Sequence, residues 1–167
     1  MKTSIYLLLF AILPFWSTSN HEVQKVEDKD LIVGNWKPSN GRSVVSIYKG
    51  KADNGEDPDK YYGKIVWLKE PNDENGKPRT DINNDDDELK KKALKGLVII
   101  KDMEFEEVDG KIVTWEGGTI YDPNNGSEYS FEAEIDKRNK NAMDGRGFIG
   151  FSLFGRTDTW TRLVRKN

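Results

Sequence analysis

From Glu128 to Ile135 the chain alternates without a break. Tyr129, Phe131, Ala133 and Ile135 are apolar, whereas Glu128, Ser130, Glu132 and Glu134 are polar. A period of two belongs to an antiparallel strand with one face on a core and the other in water. A helix would scatter the same residues around its circumference. The flanks agree: Asp122-Pro123-Asn124-Asn125-Gly126 precedes the strand with turn chemistry, and the polar stretch Asp136 to Asn141 follows it.

Similar segments recur along the chain. Leu31-Ile32-Val33 runs into Gly34-Asn35-Trp36, and Ser43 to Lys49 is β-branched and apolar. Tyr61 to Lys69, Leu97 to Lys101, Met103 to Val108 and Ile112 to Trp115 read as strands, with Asp109-Gly110 as a hairpin turn. Ala142 to Phe151 is a strand broken by Gly145, Gly147 and Gly150, and Arg156 to Val164 is the last. Gly117 and Gly118 sit where a strand has to bend. The expectation is all-β: one antiparallel barrel of about eight to nine strands, closed so that no edge is left open.

One connection departs from this pattern. Glu70 to about Asp85 is long and polar, and such connections in compact domains are often functional. A short helix is expected after it, following the third strand. Asp85 would cap it with Glu88 as reciprocal partner, and Gly96 would stop it.

The ends and the composition bound the function. Lys2, an apolar run from Ile5 to Trp16 and Ser17-Thr18-Ser19 read as a signal peptide over 1–19. The apolar run is shorter than the ~20 residues a spanning helix needs. The expected organisation is a flexible lead-in over 20–30 and a single β-barrel domain over 31–167. The protein would be exported, periplasmic or extracellular, with no stable membrane anchor after cleavage. The sequence contains no cysteine, so disulfides, thiol catalysis and thiolate metal sites are out. A net charge of −3 with no basic block argues against nucleic acid as a partner. Oligomeric state is not legible.

Gly34-x-Trp36 on the first strand and Trp160-x-Arg162 on the last resemble the signature of the calycin superfamily of lipocalin-like barrels. The resemblance implies that Gly34, Trp36, Trp160 and Arg162 close one end, with a guanidinium over a tryptophan face. Such a cation–π contact is worth roughly 0.5–2 kcal/mol. A wider pattern covers nearly all of the chain after the leader. It comprises Tyr62-Gly63-Lys64-Ile65-Val66, Asp81-x-Asn83, Leu94-Lys95-Gly96-Leu97, Trp115-x-Gly117-Gly118-x-Ile120-Tyr121-Asp122-Pro123, Gly145-Arg146-Gly147-Phe148-Ile149-Gly150 and Gly155-Arg156-Thr157. It resembles a family of exported bacterial proteins known as domain of unknown function 2147. That resemblance implies a single calycin-like barrel and carries no agreed activity.

Candidate chemistry is sparse. His21 is the only histidine, so neither a Ser-His-Asp triad nor the usual catalytic zinc site can be assembled. No cofactor is called for. Asp81-x-Asn83-x-Asp85-x-Asp87 alternates like a calcium loop. It has Asp86 where the sharp-turn glycine belongs and Lys92 where a bidentate acid belongs. The same carboxylates serve a helix cap without a metal. Glu116, Asp122 and Glu128 offer a carboxylate pair for a hydrolase, but no pair is singled out by spacing. The leading expectation is a non-enzymatic protein that binds a small apolar ligand such as a lipid or fatty acid. Its contacts would come from Trp67, Tyr121, Tyr129, Phe131, Phe148 and Phe151, with Arg146 for a head group. Phe148, Phe151, Leu153 and Phe154 would make an apolar portal or simply close the core. The alternatives are a filled barrel acting as an envelope interaction module, and the carboxylate hydrolase.

Overall fold

A computed structural model describes residues 27–107, 110–151 and 155–164; the expected signal peptide, His21, Leu153 and Phe154 lie outside them. Eight antiparallel strands form a closed barrel in chain order. They are β1 (Gly34–Lys37), β2 (Ser43–Lys49), β3 (Tyr61–Leu68), β4 (Val98–Glu107), β5 (Ile112–Asp122), β6 (Ser127–Asp136), β7 (Ala142–Phe148) and β8 (Arg156–Arg162). Each pairs with the next, and β1 closes on β8 with Trp36 opposite Arg162. The two extended segments expected between Leu97 and Val108 are one strand, interrupted at Asp102, whose φ is 58°. The Tyr62 hydroxyl donates to the Asp102 carboxylate at 2.6 Å and holds that kink.

The alternation on β6 sets the core. Phe131, Ala133 and Ile135 are buried and meet Trp36, Val45, Ile47, Ile65, Ile100, Met103, Val113, Trp115, Met143 and Trp160. Aromatic rings interlock across the interior: Trp115 stands edge-on to Phe105 and Tyr61, and Phe131 leans on Trp160. The packing leaves no slack where strands cross. A Cβ on Gly63 would lie 3.0 Å from Ile100, and one on Gly145 would lie 2.9 Å from the Phe131 ring. The middle of the barrel is therefore filled by its own side chains.

Two bulges decide which residues reach that interior. β5 shifts register between Trp115 and Gly118, with Gly117 at φ 71°. Glycine takes that backbone conformation at little cost. Past the bulge Ile120, not Tyr121, continues the inward row, because Ile120 faces Tyr129 and Ile100 across the ladders. β3 shifts register opposite Val44/Val45, which places Leu68 against the core and leaves Trp67 47% exposed.

One end of the barrel is sealed. Within the 20–30 stretch, read as a flexible lead-in, the described residues Asp28–Asp30 form a 3-10 turn that delivers Leu31 and Ile32 into the core. The Trp36 indole donates to the Ile32 carbonyl at 2.7 Å, and the Trp115 indole donates to the Lys29 carbonyl at 3.2 Å. Lys137 and Lys49 pair with Asp28 and Asp30 at 2.5 and 2.8 Å. The other end, the mouth, carries the β1–β2, β5–β6 and β7–β8 connections and the long β3–β4 connection.

The helix expected in that connection is a single 3-10 turn, Leu89–Lys91. Asp85 does not cap it. Asp86 accepts from the Glu88 and Leu89 amides at 2.8 and 3.4 Å, and Asn84 accepts from the Asp86 amide at 3.0 Å. The consecutive Asx turns, together with the bridge between Thr80 and Ala93, hold too few residues in line for an α-helix.

Candidate functional site

The β3–β4 connection folds against the mouth ends of β4, β5 and β6, and Asp81 is the residue that anchors it. Asp81 is the one charged side chain fully buried among the described residues. Its oxygens accept from the Tyr121 hydroxyl and the Asn84 amide, each at 2.8 Å, and its own amide donates to the Lys92 carbonyl at 3.0 Å. Burying a polar group is costly unless it is hydrogen-bonded, and these donors supply those bonds. Burial, then the bond to Asp81, pushes the Tyr121 hydroxyl up to about 12, so it keeps its proton and remains a donor. Asn83 adds a second tie by donating to the Pro123 and Asn124 carbonyls of the β5–β6 turn.

Between this connection and the barrel lies a cleft of about 700 Å³. Leu89, Ala93, Leu97 and Val98 give it apolar walls; Tyr121 stands at its floor, and Lys92, Lys95 and Lys101 lie along it. Its size falls within the roughly 300–1,000 Å³ typical of small-molecule sites, which are mostly apolar with a few placed polar groups. A wider opening of about 1260 Å³ on the other side of the connection is lined more by polar groups, among them Arg42, Lys69, Asn72, Glu74 and Arg79.

The residues expected to bind a ligand are not brought together. Phe131 is 3% exposed inside the filled core. Tyr129 shares that inward row nearer the mouth, where its hydroxyl accepts from Asn125 at 2.9 Å. Tyr121 lies under the connection. Trp67 is on the outer face of β3. Met143, Gly145 and Gly147 occupy the inward positions of β7, so Arg146 and Phe148 are on its outer face, where Arg146 donates to Thr157 at 3.0 Å and lies 3.6 Å from Glu132. Phe151 is 79% exposed in the β7–β8 connection. Of the seven, only Tyr121 lines the cleft. Asp81 and Glu128 also line it, though the sequence offered them as calcium-like and hydrolytic acids, and Leu89 to Lys101 come from a stretch that reads as helix and strand start.

The remaining candidates are occupied locally. Asp122 accepts from the Asn124 amide in the turn, Glu128 pairs with Lys101 at 3.6 Å, and Glu116 is exposed at the β5 bulge. The calcium-like residues diverge: Asp81 turns to Tyr121, Asn83 to the β5–β6 turn and Asp87 to Lys90. Among the described residues, no three acidic or histidine side chains converge as metal ligands.

At the sealed end Gly34, Trp36 and Arg162 meet, whereas Trp160 packs on Phe131 in the core. The Arg162 guanidinium lies 4.1 Å from the Trp36 ring centroid. It donates to the Val33 and Lys140 carbonyls at 2.9 and 2.8 Å and also to the Leu31 carbonyl. Burial holds its pKa below the usual guanidinium value. A Cβ on Gly34 would sit 2.8 Å from Arg162 Nη1, and Gly34 has φ 141°. Glycine is required there by contact and by backbone alike.

An eight-strand antiparallel barrel, closed by an arginine over a Gly-x-Trp tryptophan, is a lipocalin-like fold. The barrel is similar to a solved structure from Helicobacter pylori, protein HP1028, described as belonging to the lipocalin family. The TM-score is 0.59 at 20% identity, over 80% of this chain and 83% of that one. The chain belongs to the bacterial family described as "uncharacterized protein conserved in bacteria (DUF2147)", whose model matches residues 34–162. No curated protein matches the chain.

Proposed function

We propose that this protein, after export, is a non-enzymatic binding protein for a small, mainly apolar ligand such as a lipid or fatty acid. The ligand is held in the cleft under the β3–β4 connection, outside the barrel core. The observation that carries this reading is the cleft itself: an apolar-walled space of about 700 Å³ beside a core that has none to spare. The Asp81–Tyr121 bond ties the connection to the barrel on one side of the cleft. The test is solvent extraction and mass analysis of protein purified from the exported fraction, alongside an Ala93→Trp variant that fills the cleft. The wild type should release a stoichiometric small amphiphile and the variant should not. A wild type that releases nothing and takes up no member of a fatty-acid panel contradicts the reading.

A second reading, a filled barrel serving as an envelope interaction module, is favoured by Ile82, Ile149 and Phe151. These are 71%, 72% and 79% exposed on connections at the mouth. Cross-linking in cells that loses its partner on Phe151→Ser would support it; an unchanged pattern would count against it.

A further inference from the structure

We propose that the ligand's head group is a carboxylate and that Lys92 and Lys95 read it; this rests on the cleft being the binding site. The lysines of this segment divide into two sets. Lys90 and Lys91 each bond the acid three residues earlier, Asp87 at 2.7 Å and Glu88 at 2.6 Å. Lys92 and Lys95 have Leu89 and Lys92 at that spacing, and neither forms an ion pair among the described residues. The neutralised pair is absent from the cleft lining, whereas the unneutralised pair is part of it.

The acids of the cleft are already engaged. Asp81 is fully buried and bonded to Tyr121 and Asn84, and Glu128 pairs with Lys101. Two lysines without ion-pair partners therefore line the cleft together with Leu89, Ala93, Leu97 and Val98. A single-chain amphiphile with an anionic head complements that arrangement. Its chain covers the apolar wall, its head accepts from the two ammonium groups, and the lysine stems lie along the chain. An ammonium head would be repelled, and a neutral head would leave both charges to water.

The experiment is calorimetric titration of the full chain with decanoate, 1-decanol and decylammonium below their aggregation limits, using wild type, K92Q/K95Q and K90Q/K91Q. Thermal melts verify that each variant is folded. Decanoate should bind wild type about tenfold or more tightly than decanol, the scale of one charge-assisted hydrogen bond. That preference should shrink as salt is raised. It should vanish in K92Q/K95Q and survive in K90Q/K91Q. If decanoate and decanol bind wild type alike, or K92Q/K95Q keeps the preference, the head-group assignment falls while the cleft reading stands. If none of the three binds, the cleft reading itself fails and takes this assignment with it.

Discussion

At the sealed end, Arg162 lies over Trp36 and satisfies three backbone carbonyls, while Leu31 and Ile32 fill the space beneath. At the mouth, the β3–β4 connection is held by Asp81, Asn83 and a few backbone bonds, and most of its residues are exposed. The first closure buries apolar surface and gives three backbone carbonyls a guanidinium donor. The second buries little beyond Asp81 and relies on hydrogen bonds, from the Asp81 and Asn83 side chains and from the backbone. Local opening costs follow buried contacts and protected hydrogen bonds, so the mouth should open below the global unfolding free energy and the sealed end only with it.

The largest effect should come from the sealed end. Trp36→Ala removes a fully buried indole and should cost roughly 3–5 kcal/mol in urea unfolding. A cost below that of an exposed substitution would show that the seal is not structural. Arg162→Lys keeps the charge and loses the planar fork over Trp36, and Gly34→Ala places a methyl against that fork. Each should cost about 1–3 kcal/mol, the range for lost buried hydrogen bonds and for strained backbone. Their double variant should be less than additive, because both disturb one contact.

At the mouth, Tyr121→Phe leaves Asp81 with one side-chain donor. It should cost about 1–3 kcal/mol locally, the penalty for an unmade bond to a buried acceptor. The readout is hydrogen exchange: amides from 81 to 97 should lose protection while those of β1 and β8 keep theirs. Loss of protection at both ends would erase the distinction between them.

The smallest effect is an acid titration. Bonds from the Arg138 guanidinium and amide hold the Asp136 carboxyl down at about 2, below its ordinary 3.8. A depressed carboxylate stabilises the fold above its unfolded value, and that contribution is lost as pH falls through the folded one. The carboxyl resonance of Asp136 should therefore titrate near pH 2, and Arg138→Ala should return it toward 3.8. The Arg138 partner is 74% exposed, so solvent screens the pair and little change in melting temperature should follow.

Most of the barrel was legible because alternation and turn chemistry are local. β6 reads directly from Tyr129 to Ile135, and the closure pair Trp36 and Arg162 reads from the resemblance. What was hidden depends on phase and on distant partners. One bulge at Gly117 turns Tyr121 out and Ile120 in, and another in β3 does the same for Trp67 and Leu68. Alternation cannot show where it slips. Asp28 to Asp30 looked like solvated tail because their partners, Lys137, Lys49 and Tyr61, are far along the chain. Asp81 looked like one acid among many. Its burial depends on Tyr121, forty positions away.

Methyl-resolved NMR of the full chain during a decanoate titration separates a ligand in the mouth cleft from one in the barrel. Methyl signals of Leu89, Leu97 and Val98 should shift in proportion to occupancy, while those of Ile47, Ile100 and Met103 stay fixed. Shifts concentrated on Ile47, Ile100 and Met103 would contradict the account, because they would place the ligand inside a core that these side chains fill.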